Sequence, residues 1–296
     1  PIRGADFVVI FMPSPLGFLA VLTAAVLGRQ RVVYLGGDWS ASLSPRARTG
    51  EGIIRRVRGV LQRIACAVSP LLLVRDPKTF GEMSRSRKGV HPAAPFTTFS
   101  RETEFHREDT CGGSKIVCLT VGALLPHKGI MDVLPAVRQL RAEGYAVELW
   151  HAGASYAGAF RDEVERLVEQ SGLSDAVRFL GYVGHEDLLN AYRQADILVH
   201  AARAEGMPRV LAEAMSQSLP VVVTEAGGIG EALQHGQNAL LVRPQDPQSV
   251  AAGIRRVVED RELRRAMISN GRAWARAELA RDPVQQILSV LQIPPQ

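Results

Sequence analysis

Two carboxylates, one ammonium group and two glycine turns carry the chemistry that this sequence could perform. Glu205 stands in the run Glu205-Gly206-Met207-Pro208, and Glu213 follows after seven residues in Glu213-Ala214-Met215. The first belongs to a loop at the end of a strand, the second to the first turns of the helix behind it. Ionised carboxylates accept hydrogen bonds from vicinal hydroxyls, so such a pair suits a polyol. Lys128 closes the loop Gly122-Ala123-Leu124-Leu125-Pro126-His127-Lys128-Gly129, where its ammonium could meet phosphate. Gly227-Gly228 precedes another helix and offers backbone N–H groups and the positive end of a helix dipole to the same kind of ligand. Each feature also has a plainer reading: a helical surface charge for Glu213, a cap for Glu205, a solvated side chain for Lys128, an ordinary turn for the glycines.

Positioning these groups requires strands that end side by side. From Lys115 onward, short apolar runs alternate with amphipathic ones, the pattern of a parallel sheet covered on both faces. Strands are expected at 115–121, 146–151, 177–180, 197–200, 220–224 and 239–242. Helices are expected at 130–143, 158–171, 186–194, 209–217, 228–233 and 247–259, then at 261–278 and onward to Leu291. Residues 1–75 show the same alternation with fewer units and read as part of a second sheet. Residues 76–114, with Pro77, Pro92 and Pro95, have weak periodicity and are expected to hold the linker between the sheets.

Phe7 to Gly28 has no charged residue for 22 positions, long enough to span a hydrocarbon core of about 30 Å. Pro13, Ser14, Pro15 and Gly17 interrupt it, so it reads as strand 7–11, helix 16–27 and strand 31–35 instead. The 296 residues are 46% hydrophobic and 22% charged, which excludes a solvated, disordered chain. Net charge is unevenly spread: residues 1–100 hold 14 basic and 5 acidic groups, net +9, and the remainder 21 and 25, net −4. Arg46, Arg48, Arg55, Arg56, Arg58 and Arg63 are the densest part. They favour an anionic surface as partner; no nucleic-acid-binding signature accompanies them, so nucleic acid is not expected. Three cysteines, Cys66, Cys111 and Cys118, lack metal-ligand spacing and point to a reducing, cytoplasmic compartment.

Taken in order, Gly122…Lys128-Gly129, Val177-Arg178-Phe179-Leu180-Gly181, Ala195-Asp196-Ile197, Glu205-Gly206-Met207-Pro208, Glu213-Ala214-Met215, Pro220-Val221-Val222 and Gly227-Gly228…Glu231 resemble the family-4 retaining glycosyltransferases of the GT-B fold. The resemblance covers residues 115–275. It implies an α/β architecture of two Rossmann-like domains with a nucleotide sugar, a UDP-sugar or GDP-sugar, between them. Lys128 would bind the donor diphosphate and stabilise the departing phosphate. Glu205, with backbone groups of Gly206 and Met207, would contact the donor sugar, and Glu213 would hold the ribose. Gly227 and Gly228 would face the phosphates, Gly122 would shape the first loop, and the backbone from Gly181 to Val183 would flank the base. Neither a metal nor a separate cofactor is implied. The acceptor would be a sugar or a lipid-linked sugar, reached by a peripheral protein on the inner face of an anionic membrane.

Departures from the family pattern accompany the matches. Ala123 replaces a usual arginine, Ala201-Ala202 replaces Pro-Ser, and a preceding Gly-x-Gly reads Gly153-Ala154-Ser155. The front part is shorter than the family's, so residues 1–108 are expected to form an incomplete acceptor-side domain. The donor domain would occupy 109–278, and 279–296 would return as a helix to the first domain. Tyr34-Leu35-Gly36-Gly37-Asp38-Trp39 falls where many members place a residue near the reacting sugar, making Asp38 a candidate for orienting sugar or acceptor. A truncated or degenerate module that binds the nucleotide sugar without turnover is the alternative, and an epimerase of the same fold a third reading.

Overall fold

The computed structural model describes residues 4–36, 51–97, 99, 103–155 and 158–293. β1 (Phe7–Met12), β2 (Gln30–Leu35), β3 (Leu71–Val74) and β4 (Val90–Pro92) pair in that order, all parallel, into a first sheet. The uncharged stretch after Phe7 divides at its breakers. β1 stops at Met12, the Ser14 side chain accepts a 2.9 Å hydrogen bond from Gly17 N, and α1 (Pro15–Val26) starts behind that cap. α2 (Glu51–Ala67) and α3 (Pro77–Ser86) complete the crossovers.

One expectation needs narrowing. Residues 76–114 are not a linker throughout, because α3 and β4 lie inside them. α3 packs inward only through the partly buried Phe80 and Met83, and β4 reads Val-His-Pro, so neither stands out as an apolar run. The connection between the sheets begins after Pro92.

The second sheet contains β5 (Ile116–Val121), β6 (Val147–Ala152), β7 (Val177–Gly181), β8 (Ile197–His200), β9 (Val221–Thr224) and β10 (Leu240–Val242). Between and after them run α4 (Ile130–Ala142), α5 (Ala159–Gln170), α6 (His185–Gln194), α7 (Arg209–Ser216), α8 (Ile229–Ala232), α9 (Pro247–Glu259), α10 (Arg261–Leu279) and α11 (Pro283–Val290). These elements match the expected ones to within a residue or two, except that α8 is a single turn. β8 and β9 are buried at every position, as strands covered on both faces must be. Cys118, Val199 and Val222 belong to the core on one face, Leu119, Leu198, Val221 and Val223 to the core on the other.

All pairs are parallel and the order is β10-β9-β8-β5-β6-β7. The chain winds outward from β5 to β7, then returns to place β8 on the opposite side of β5. That reversal opens a crevice at the carboxyl ends of β5 and β8, the place where doubly wound sheets bind ligands. Contacts between the two units are specific. Arg75, at the end of β3, donates to Glu278 of α10 at 2.7 Å; the arginine is buried and the glutamate half-buried. α11 lies on the first sheet, with Ile287 against Val32, Tyr34 and Leu73 and Gln286 Oε1 accepting from Ala94 N at 2.7 Å. Among the described residues, no helix is long and apolar enough to cross a membrane.

Candidate functional site

The loop after β5 carries Lys128 and the loop after β8 carries Glu205. A 3-10 turn, Pro126–Lys128, leads to Gly129, whose φ is +79° and whose α-carbon lies against the carbonyl of Ala201. A Cβ at that position would sit 1.8 Å from the Ala201 oxygen, so only glycine allows the two loops to close together. Arg203 tightens the junction: its guanidinium donates to both oxygens of Asp132 at 3.1 and 3.0 Å, and its N–H donates to His127 O at 2.8 Å.

Lys128 Nζ therefore reaches Glu205 Oε1 and donates to it directly. His200, the last residue of β8, brings its Nε2 to 3.6 Å from the same oxygen. The lysine side chain is 27% exposed, the glutamate 16% and the histidine 4%. Burial alone would push the Glu205 carboxyl up, but His200 and Lys128 overcome it and hold the group down at about 2. Glu205 is thus an anion with a cation already in place.

Glu213 has different partners. It is buried on α7, with Thr97 Oγ1 donating to Oε1 at 3.0 Å and Tyr192 OH donating to Oε2 at 3.2 Å. Burial pushes its carboxyl above the ordinary range, and the charge and hydroxyl groups around it offset this only partly. Thr97 comes from the connection between the sheets, so the residue expected on the ribose also joins the two units. Both oxygens retain a lone pair for a further donor.

Gly206 is half-buried in the Glu205 loop and the Met207 side chain is packed in the core beside Leu211. Gly227, at φ +59°, touches the Glu205 carbonyl, where a Cβ would come within 1.7 Å. Gly228 lies against Asp76 Oδ1 and Pro77 at the start of α3, so the turn expected to face phosphate also meets the first unit. Because α8 has one turn, the expected helix dipole is weak there, and the backbone N–H groups are what the turn offers. Gly122 leaves β5 at φ +141°, and its α-carbon faces the Lys128 stem. Gly181 ends β7 beside a cavity of about 300 Å³ lined by Leu124, Ala154, Ser155, Phe179 and the exposed ring of Tyr182. Asp38, Trp39, Arg46 and Arg48 lie outside the described residues. Among the described residues, no group of three or more His, Cys, Asp or Glu is placed to hold a metal ion.

The structure brings Lys128, Glu205 and Gly227 together at one strand end, and sets Glu213 apart with Thr97 and Tyr192. The sequence reading missed His200, Arg203, Asp132, Thr97 and Tyr192. His200 had a signal, a polar residue closing an all-apolar strand five positions before Glu205. The Arg203–Asp132 pair had none, because 71 residues separate its members.

Residues 101–274 match the sequence model of the family described as glycosyl transferases group 1. A glycosyltransferase of Methanocaldococcus jannaschii is 32% identical over 175 residues, covering 59% of this chain and 44% of that protein. D-inositol 3-phosphate glycosyltransferase of Corynebacterium jeikeium is 37% identical over 152 residues, covering 50% of this chain and 36% of that one. The matched stretch spans less than half the length of these relatives. Among solved structures, sucrose-phosphate synthase of Thermosynechococcus elongatus is similar with a TM-score of 0.79 over 98% of this chain and 72% of that one, at 21% identity. HepE of Anabaena, in complex with UDP and glucose, has a TM-score of 0.77 over 98% of this chain and 78% of that one, at 20% identity. At these identities the likeness is one of fold: α/β with parallel sheets, as the GT-B expectation required.

Proposed function

We propose that this chain, which belongs to the glycosyl transferases group 1 family, binds a nucleoside-diphosphate sugar in the crevice at β5 and β8 and passes its sugar to a sugar or lipid-linked acceptor with retention of configuration. The observation that carries the reading is Lys128 paired with Glu205 at the topological switch point. One group is suited to the diphosphate and the other to sugar hydroxyls, on loops fixed to rigid strands. Glu213 would take the ribose, the turn at Gly227 and Gly228 the phosphates, and the cavity beside Gly181 the base. Retention would follow from attack on the face that the leaving phosphate vacates, with that phosphate accepting the acceptor hydroxyl's proton. UDP-glucose bound to HepE, a neighbour in fold, and the sugar-transfer names of the curated relatives support this class of donor without fixing its base or sugar.

The test is calorimetric titration with UDP-glucose and GDP-mannose. Saturable binding of either one that is lost in both Lys128→Ala and Glu213→Ala is expected; equal binding by wild type and both variants would overturn the site. Transfer to any acceptor separates an enzyme from a module that only binds.

The acceptor side supports a membrane surface on the cytoplasmic face. Ile53, Val57, Val60 and Ile64 form an exposed stripe at helical spacing along α2, with Ile53 70% exposed, and Arg56, Arg58 and Arg63 share the helix. Flotation with vesicles containing phosphatidylglycerol should recover the wild-type chain and lose Ile53→Ser/Val57→Ser; equal recovery of the two would remove the membrane from the proposal.

A further inference from the structure

Beneath the loop from Gly122 to Lys128 lies a closed space lined on its polar side by Thr120, His151 and His200. Its free volume, about 10 Å³, leaves room for at most one water, so the two histidines do not line a ligand pocket. Both are 4% exposed, and each has an Nε2 without a hydrogen-bond partner. A buried ring nitrogen left unpaired is costly, so what lies near each Nε2 decides its use. His151 is anchored through Nδ1, 2.9 Å from Thr120 Oγ1, and makes no recorded contact with Glu205. His200 differs: its unpaired nitrogen is 3.6 Å from Glu205 Oε1, the oxygen that Lys128 occupies.

We infer that His200 is a positioning residue for Glu205, becoming its hydrogen-bond donor through Nε2–H when Lys128 turns to the diphosphate of a bound donor. The inference rests on the donor-site reading above. Lys128 carries one ammonium group, and that group is paired with Glu205. A bound diphosphate draws it away, and a half-buried carboxylate is then left to hold sugar hydroxyls without its cation. Among the described residues, the basic groups in contact with Glu205 are Lys128 and His200. Shortening 3.6 Å to an ordinary bond of about 2.9 Å needs a shift of about 0.7 Å, within the reach of a loop side chain. The histidine itself stays still. It is buried and ends a strand paired with β9, so it gives Glu205 a fixed reference that a loop residue could not.

The test compares a nucleotide sugar with its nucleoside diphosphate, since Glu205 would touch only the sugar. UDP-glucose and UDP, and GDP-mannose and GDP, are titrated into wild type, His200→Asn and His200→Gln. The Gln amide nitrogen can occupy the position of Nε2, whereas the shorter Asn amide cannot. His200→Asn should weaken nucleotide-sugar binding about tenfold and leave nucleoside-diphosphate binding within twofold, His200→Gln should restore the difference, and His200→Asn should add nothing in Glu205→Gln. Equal affinities in Asn and Gln variants, or equal losses for sugar and diphosphate ligands, would overturn the inference and leave His200 a packing residue. Failure of wild type to bind any of the four ligands would instead overturn the donor site, and the inference with it. Should His200→Asn prove unstable by thermal melting, His200→Leu replaces it as the variant that fills the space without a donor.

Discussion

Gly129→Ala tests whether the contact between the β5 and β8 loops builds the site. Two costs can be worked out. The residue sits at φ +79°, where an L side chain loses about 1–2 kcal/mol. The added Cβ would also meet the Ala201 carbonyl oxygen at 1.8 Å, while real Cβ contacts essentially never fall below 3.0 Å, so the two loops must separate by at least 1.2 Å, the difference between the two. Overpacking of this kind costs a further ~1–3 kcal/mol, for a total of about 2–5 kcal/mol. Gly144→Ala is the internal control: its φ is +96° but nothing lies within 4 Å of its added Cβ, so it carries the conformational cost alone. Urea unfolding should therefore place Gly129→Ala below Gly144→Ala by the overpacking difference. The separation also carries Lys128, the neighbouring residue, away from Glu205. A displacement near 1 Å can cost about a hundredfold in rate, and a loss of that order in sugar transfer or donor hydrolysis is expected for Gly129→Ala, with Gly144→Ala close to wild type. Equal unfolding free energies in the two variants, or equal activities, would refute the claim that backbone contact at Ala201 sets the Lys128–Glu205 geometry.

Two pH effects follow from buried groups. Burial holds His151 down at about 4, from an ordinary value of 6.5; because the folded value is the lower one, the contribution is complete above pH 6.5 and lost as pH falls toward 4. It amounts to about 3 kcal/mol. Urea unfolding between pH 7.5 and 4.5 should fall more steeply for wild type than for His151→Asn, which can keep the Thr120 contact; parallel slopes would reject the assignment. Glu213 is displaced the other way, upward, so nucleotide binding that needs its anion should weaken as pH falls, beginning above the ordinary carboxylate range. Tyr192→Phe removes a donor to the anion and should move that weakening to higher pH in UDP titrations; an unchanged profile would separate Glu213 from the ribose.

Most of the second sheet was legible because its strands are short apolar runs bounded by turn residues and its helices are amphipathic, with aspartate caps on the last three. Asp246 and Asp260, for example, stand just before α9 and α10 and accept from the third backbone N–H beyond them. α3 and β4 were not legible because neither stands out as apolar: α3 packs inward through Phe80 and Met83, both only partly buried, and β4 reads Val-His-Pro. The site divides along the same line. Lys128, Glu205 and Glu213 could be named from local chemistry, but their partners could not. The Lys128–Glu205 pair spans 77 residues and depends on the return of the chain from β7 to β8, which puts the two loops side by side. The same geometry bears on Ala123. A family pattern with arginine there would supply a second cation, whereas Ala123 supplies none and Lys128 is paired with Glu205. On the donor site proposed above, a bound diphosphate would draw Lys128 from Glu205, and the group placed to support the carboxylate would be the buried histidine at the end of β8, the strand that brought Glu205 there.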